Sequence, residues 1–76
     1  MAHTPPPKTG FVETLVRLPR QGGQRWTNAE RDRIYEWDGL HGEWEVYNNT
    51  GFHLGAADSA TGVLTKKAVR GRKIDV

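Results

Sequence analysis

The fold is decided by "IYEWDGLHGEWEVY", residues 34 to 47. β-Branched and aromatic residues, which favour strands, recur in both halves of this stretch. Asp38-Gly39 in the middle is typical of a tight hairpin turn, because both residues tolerate a positive φ. The stretch therefore predicts two antiparallel strands, "RIYEWD" and "LHGEWEVY", joined at Asp38-Gly39.

The second predicted strand has two chemically different faces, because side chains alternate across a strand. The polar face holds His41, Glu43, Glu45 and Tyr47. The apolar face holds Leu40, Gly42, Trp44 and Val46. One face can therefore cover a core while the other presents an imidazole, two carboxylates and a phenol. Asp38 stands at the corner of the hairpin and is expected close to the histidine.

Beyond the hairpin, turn sequences recur about every ten residues. "NNTG" at 48–51 and "SATG" at 59–62 bound "FHLGAAD" and "VLTKKAV", which read as further strands. No helical segment is long enough to connect parallel strands. The chain is therefore predicted to be mainly β, with a small antiparallel sheet in a meander or barrel-like arrangement.

The N-terminal part of the chain has a different composition. Pro5 to Pro7 predict an extended arm. "FVETLVRL" at 11–18 suits a short strand or a short helix, and its periodicity does not distinguish them. "RQGGQR" at 20–25 is predicted to be a flexible connection. We therefore assign residues 1–23 to an extended N-terminal arm and residues 24–76 to the antiparallel β domain.

The composition limits the possible functions of these 76 residues, which form one small domain with a thin core. There is no cysteine for a disulfide or a thiolate zinc site, and no apolar run that suits a membrane span or a secretory signal. The formal net charge is only +2 at pH 7. However, residues 36–45 hold four acids and no base, whereas "KKAVRGRKIDV" at 66–76 holds five bases and one acid. This arrangement suits a polyanionic partner whose backbone is held by basic residues around an acidic centre.

The acidic hairpin lacks a counter-charge of its own. Glu43 and Glu45 share a face and repel each other, so the basic C-terminus or a bound cation must offset their charge. A metal site of His41, Glu43 and Glu45 is one alternative, but a strand spacing of two does not by itself converge three ligands. Ser59 is the only serine, and no glycine-rich phosphate loop is present. These observations disfavour metal, serine and nucleotide chemistry.

Metal-free acid–base catalysis remains. RNA carries its own nucleophile, the 2′-hydroxyl, so a protein that cleaves RNA needs only a base, an acid and a cation near the phosphate. His41, Glu45 and an arginine meet this requirement. DNA lacks the 2′-hydroxyl and would not be cut by this route.

Four segments of the chain carry a resemblance to a known family. They are "RWT" at 25–27, "IYEWD" at 34–38, "HGEWE" at 41–45, and "HLG" followed by "D" and "TG" at 53–62. They resemble the cytotoxic ribonuclease domain of the E-type colicins and cloacin, a module also found in pyocins and in toxin tips of contact-dependent inhibition systems. The similarity is dense from 24 to 62 and thin outside it. It implies a highly twisted antiparallel sheet with an irregular or short helical N-terminus, and cleavage of small-subunit ribosomal RNA at the decoding centre.

The resemblance also implies roles for individual residues. By position, Asp38, His41, Glu45 and Arg72 look like the family's catalytic residues. Glu45 would be the base and His41 the acid, with Asp38 orienting His41, although the first two roles could be exchanged and Arg70 could replace Arg72. Candidates for contact with the substrate are Glu43, Tyr47, His53, Trp26, Arg25, Lys66, Lys67 and Arg70. No metal and no cofactor are expected.

The partners that the resemblance implies are the ribosome and a small acidic immunity protein that protects the producing cell. Upstream delivery domains of a larger toxin are expected too, with release from the producing bacterium and action in the cytoplasm of a target bacterium. The alternative hypothesis is a non-catalytic small β-barrel that binds RNA or protein, in which the acidic face is a docking surface.

Overall fold

The computed structural model describes residues 3–19 and 24–76, which form a single antiparallel sheet. A 3₁₀ helix spans Gly10–Thr14 and precedes the strands. The strands are β1 (Val16–Leu18), β2 (Arg25–Thr27), β3 (Arg33–Asp38), β4 (Glu43–Asn48), β5 (His53–Ala57) and β6 (Leu64–Lys67). Their order in the sheet follows their order in the chain, so the predicted antiparallel meander is confirmed. The sheet is open, with β1 and β6 at its edges, and the barrel-like alternative is wrong.

The N-terminal segment contains both of the elements that the sequence left open. Residues 11–18 hold most of the 3₁₀ helix and all of β1. The prolines at 5–7 have no regular structure, as expected of an extended arm. The flexible connection predicted at 20–25 is wrong at its end, because Arg25 begins β2. Residues 20–23 of that connection and the proposed boundary at residue 23 lie outside the described residues. No helix in the described ranges is long and apolar enough to cross a membrane.

The core lies on one face of the sheet and is largely aromatic. Trp44 and Val46 are fully buried, which confirms their predicted place on the apolar face of β4. The Trp44 ring makes edge contacts with Trp26 and Trp37, with centroid separations of 5.0 and 4.8 Å. Phe11 reaches back from the 3₁₀ helix and packs against the same cluster. The N-terminal segment therefore closes the core that the strands alone leave open.

The β3–β4 connection is longer than the sequence suggested. The two strands pair as far as Asp38 and Glu43, so residues 39–42 form a four-residue loop and the predicted tight turn at Asp38-Gly39 is wrong. The Asp38 side chain accounts for the difference, because it accepts the backbone N–H groups of Leu40 and His41, each at 3.1 Å. Leu40 and His41 therefore belong to the loop, and Leu40 is exposed instead of facing the core.

A β-bulge between β4 and β5 changes the face that His53 occupies. Tyr47 pairs with His53, but its neighbour Val46 pairs with Gly55, so Leu54 is an extra residue in β5. A one-residue insertion moves the preceding side chain to the opposite face. Without the bulge, His53 would share the core face with Gly55. With it, His53 lies on the polar face beside Tyr47.

Candidate active site

Four carboxylates meet on the polar face of the sheet. Glu36 lies directly opposite Glu45, and Asp38 lies directly opposite Glu43. Like charges in directly opposite positions destabilise a sheet unless they are offset. Each carboxylate has a basic or imidazole partner, and these partners are respectively Arg25, His53, His41 and Lys66. The counter-charge that the hairpin lacks comes from β2, β5 and β6 and from its own loop.

Most of these groups open onto one cavity of about 240 Å³. Its lining is contributed by β3, β4 and their loop, by β5 and β6, and by the C-terminal segment that follows. The lining residues are Asp38, His41, Glu43, Glu45, His53, Ala56, Lys66, Lys67, Val69 and Arg72. Acids and bases therefore line a single depression that is large enough for part of a nucleotide.

Asp38 and His41 form the outer pair of the cavity. The Asp38 Oδ2 atom lies 2.8 Å from Nδ1 of His41, whose side chain is 59% exposed. Burial raises the pKa of the Asp38 carboxyl. Hydrogen bonds from the His41 ring and from two backbone N–H groups lower this pKa by more than burial raises it, so the pKa lies below its ordinary 3.8. The pairing occupies Nδ1, and among the residues that the structure describes Nε2 of His41 has no hydrogen-bond partner.

Glu45 forms the inner part of the cavity and is held through one oxygen. Its side chain is 14% exposed, and its Oε1 atom lies 2.7 Å from Nε2 of His53. Nη1 of Arg72 lies 3.8 Å from the same oxygen. Within residues 3–19 and 24–76, Oε2 of Glu45 has no hydrogen-bond partner. One oxygen of this carboxylate is therefore anchored and the other is available to a ligand.

Arg72 reaches the cavity from the C-terminal segment, which folds back against the start of β5. The Arg72 carbonyl accepts the backbone N–H of His53 at 3.0 Å, and Lys73 forms an isolated bridge with Phe52. Arg70, in contrast, is exposed and does not line the cavity. Of the two arginines that the sequence offered as the charge stabiliser, Arg72 is the one beside Glu45.

The profile of the family described as Cytotoxic matches residues 5–75 of this chain. This range contains every residue that lines the cavity.

The chain belongs to the Cytotoxic family.

Three relatives of this Cytotoxic chain come from Escherichia coli. Cloacin is 42% identical over 74 residues, which cover 82% of this chain. Colicin E3 is 41% identical and colicin E6 is 40% identical, each over 70 residues and 76% of this chain. In all three, the match covers only 13% of the relative's own length. The resemblance to the colicins and cloacin is therefore confirmed for a segment that corresponds to a small part of each relative.

Three residues predicted to contact the substrate of this Cytotoxic domain are buried instead. Trp26 packs in the core against Trp44 and is only 6% exposed, which opposes base stacking on its ring. Arg25 binds Glu36 and the Asp75 carbonyl. Tyr47 is buried, and its ring lies 5.2 Å from that of His53.

Burial also affects the chemistry of Tyr47. It raises the pKa of the Tyr47 phenol above its ordinary 10.0, against the opposing charge of Arg72. The phenol therefore stays protonated at neutral pH. Lys66 and Lys67, by contrast, are exposed at the rim, and Lys66 also holds Glu43 at 3.0 Å.

Two members of the site were absent from the sequence-based set. Glu36 could have been found, because it shares a face with Asp38 in an alternating strand. Val69 could not, because its contribution is a backbone N–H that donates to Nδ1 of His53 at 2.8 Å. No side-chain pattern reports the position of a main-chain donor.

Three side chains at the outer end of the cavity could also hold a cation. Donor atoms of Asp38, His41 and Glu43 lie within 4.8 Å of one another. The ligand set suggested by the sequence had Glu45 in place of Asp38. Two of these donors already pair with each other, and Glu43 pairs with the ammonium group of Lys66. A lysine beside a carboxylate competes with a metal for it, so the donor set fits an acid–base pair better than a metal centre.

Proposed function

We propose that this chain is the endoribonuclease domain of a bacterial toxin, which cleaves small-subunit ribosomal RNA at the decoding centre without a metal. The observation that carries the proposal is that His41 and Glu45 line one cavity. Each is anchored through one side-chain atom, and within the described ranges the second nitrogen of His41 and the second oxygen of Glu45 have no hydrogen-bond partner. A base and an acid that are held in this way meet the requirement for RNA cleavage by transesterification.

The first half of the proposed reaction uses Glu45. Its free Oε2 accepts the proton of a ribose 2′-hydroxyl while the 2′-oxygen attacks the adjacent phosphorus. The carboxylate suits this role because its side chain is only 14% exposed and is fixed in orientation by contacts to Oε1. The proton that leaves the 2′-oxygen is carried by Glu45 at the end of this step.

The second half uses His41. Protonated Nε2 of His41 donates its proton to the 5′-oxygen as the bond between that oxygen and phosphorus breaks. The ionised Asp38 carboxylate, 2.8 Å from Nδ1, stabilises the imidazolium form that this step needs. The products are a 2′,3′-cyclic phosphate and a new 5′-hydroxyl, and proton exchange with water restores both side chains.

Arg72 and Lys66 provide the positive charge that the transition state needs. The five-coordinate phosphorus carries more negative charge than the ground-state phosphodiester, and fixed cations in a cleft stabilise that difference. Arg72 is 3.8 Å from Glu45 and therefore near the reacting phosphate in this scheme. Lys67, exposed at the rim of the cavity, and Arg70, exposed outside it, would hold the RNA backbone on either side of the cleaved phosphate.

The proposal for the wider biology is supported by the resemblance to the colicins and cloacin and by the short match. We propose that the domain, residues 24–76 together with the arm 1–23, is delivered by upstream segments of a larger toxin. Such segments agree with a match that covers 13% of each relative. A small acidic immunity protein would protect the producing bacterium, and the site of action would be the cytoplasm of the target bacterium.

The test is cleavage of intact bacterial ribosomes by the purified chain in the presence of a chelator. We expect one discrete 3′ fragment of the small-subunit RNA, ending in a 5′-hydroxyl. Glu45→Gln should lower the cleavage rate by about 10²- to 10⁴-fold, the usual contribution of a general base. Glu30→Gln is the matched control, because Glu30 is exposed and does not line the cavity.

Two results would contradict the proposal. Intact RNA after prolonged incubation, with ribosome binding preserved, would favour the non-catalytic RNA-binding module. A Glu45→Gln variant as fast as the Glu30→Gln control would remove Glu45 from the role of base.

A further inference from the structure

We propose that His53 is a positioning residue, locked as a neutral imidazole that donates a hydrogen bond to Glu45 and holds this carboxylate for catalysis. The sequence had suggested that His53 contacts the substrate directly. This inference rests on the proposed function, because it concerns how the proposed base is oriented.

The tautomer of His53 follows from its two hydrogen bonds. The backbone N–H of Val69 donates to Nδ1 at 2.8 Å, and an atom that accepts a hydrogen bond in the ring plane cannot carry a proton. The ring proton must therefore be on Nε2, which lies 2.7 Å from Oε1 of Glu45. A carboxylate accepts from an N–H group, so the two contacts agree on one neutral form.

The surroundings of His53 oppose any other arrangement. Its side chain is only 2% exposed, so water cannot replace either hydrogen bond. The edge of the Tyr47 ring packs against the imidazole, and the β-bulge at Leu54 sets the direction of the side chain. A second proton on Nδ1 would require the Val69 N–H to move away, which would leave a buried donor without a partner.

The two histidines of the site therefore have different functions. His41 is exposed, has a carboxylate on Nδ1 and offers Nε2 to the substrate. His53 is buried, has a backbone donor on Nδ1 and uses Nε2 to hold Glu45. A neutral donor anchors Oε1 without neutralising the charge that makes the carboxylate a base, and it leaves Oε2 for the proton of the substrate. The C-terminal segment takes part twice, because it supplies both the Val69 N–H and Arg72.

Two substitutions separate the two hydrogen bonds of His53. The amide nitrogen of glutamine can occupy the place of Nε2, so His53→Gln keeps a donor to Glu45. Asparagine is shorter and its amide can occupy the place of Nδ1, so His53→Asn keeps an acceptor for Val69 and loses the contact with Glu45. We expect His53→Asn to lower kcat for ribosome cleavage about 10²-fold, as expected for a misplaced reacting group, with KM unchanged. His53→Gln should retain most of the parent's kcat.

A merely structural role would give a different pattern, because both variants would then lose activity in proportion to their loss of thermal stability. Equal loss in both variants, or no loss in either, overturns the positioning role while the parent's cleavage of RNA still stands. If the parent itself does not cleave, the proposed function fails and the positioning role fails with it.

The tautomer can be measured on the unmodified protein. Nitrogen-15 NMR of the histidine side chains should show His53 at neutral pH with Nδ1 unprotonated and Nε2 protonated. A proton on Nδ1 would overturn the inference whatever the kinetics of the variants. This measurement needs no substitution and no substrate, so it does not depend on whether a variant folds.

Discussion

Replacing Arg25 by methionine tests whether this arginine supports the sheet or binds RNA. Its side chain is 6% exposed and donates three hydrogen bonds. Two go to Oε2 of Glu36, at 2.8 and 2.6 Å, and one goes to the carbonyl of Asp75 at 2.6 Å. Methionine keeps the apolar part of the side chain and removes all three donors.

The cost of this change comes mainly from the charge that it leaves behind. Removing one partner of a buried ion pair costs about 3–5 kcal/mol. Glu36 is 30% exposed, so water recovers part of its solvation and the lower end of the range applies, about 3 kcal/mol. Glu36 also lies directly opposite Glu45, and the released charge would repel it. For a domain of this size, about 3 kcal/mol corresponds to a decrease in Tm of about 12–24 °C.

Urea and thermal unfolding followed by circular dichroism give the free energy of unfolding and the Tm. Adding Glu36→Gln to Arg25→Met should recover stability by more than about 1 kcal/mol, because the unpaired charge is then gone. Arg70→Met is the matched control, since Arg70 is exposed and its replacement should change stability by less than about 0.5 kcal/mol. If Arg25→Met leaves stability unchanged but weakens ribosome binding, the structural role is refuted and Arg25 is a substrate contact.

Three further predictions follow from other parts of the molecule. Trp44→Ala should lower the free energy of unfolding by about 3–5 kcal/mol, because this indole is fully buried. In the same urea titration, the control Phe52→Ala, at an exposed site, should lower it by less than about 1 kcal/mol. The hydrogen bonds to Asp38 lower the pKa of its carboxyl, so the contribution of this carboxylate to stability is complete above the ordinary pKa of 3.8 and is lost as the pH falls through the lower, folded-state pKa. Asp38→Asn should therefore be less stable than the parent at pH 6, and the difference should shrink towards pH 2. Urea unfolding at pH 6 and at pH 2 measures this difference, and an equal difference at both pH values would contradict the prediction. Gly39→Ala would bring a methyl group to 2.9 Å from the carbonyl oxygen of Thr4 and displace the N-terminal arm. Trypsin should therefore cut after Lys8 faster than in the parent. An unchanged cleavage rate would mean that the position of the arm does not depend on this contact.

The polar face of β4 shows where the rule of alternating side chains predicts correctly and where it fails. The rule placed Glu43, Glu45 and Tyr47 correctly, because these residues lie within a regular strand. It failed for Leu40 and His41, because the Asp38 side chain stabilises a longer loop than the dipeptide Asp-Gly requires. The expected approach of Asp38 to His41 is nevertheless confirmed, since they lie three residues apart in that loop and their side chains meet.

Burial was harder to anticipate than strand position. Trp26 and Arg25 are of residue types that bind nucleic acids when exposed, and nothing in the local pattern separates that use from a core position. The structure buries both, because β2 is an inner strand between β1 and β3 and the N-terminal segment covers one side of it. Neither effect is visible in residues 24–27 themselves.

Local information in the chain was therefore sufficient for the meander, for the apolar face of β4, and for an acidic hairpin that carries a histidine. These features depend on the alternation of side chains and on turn residues, and both act over a few positions. The tertiary structure alone decided what surrounds Glu45. The bulge at Leu54 turns His53 to the polar face, and the C-terminal segment brings the Val69 N–H and Arg72 to the same carboxylate. These contacts join residues up to 27 positions apart through an irregular register and a main-chain donor, and neither leaves a periodic signal in the sequence.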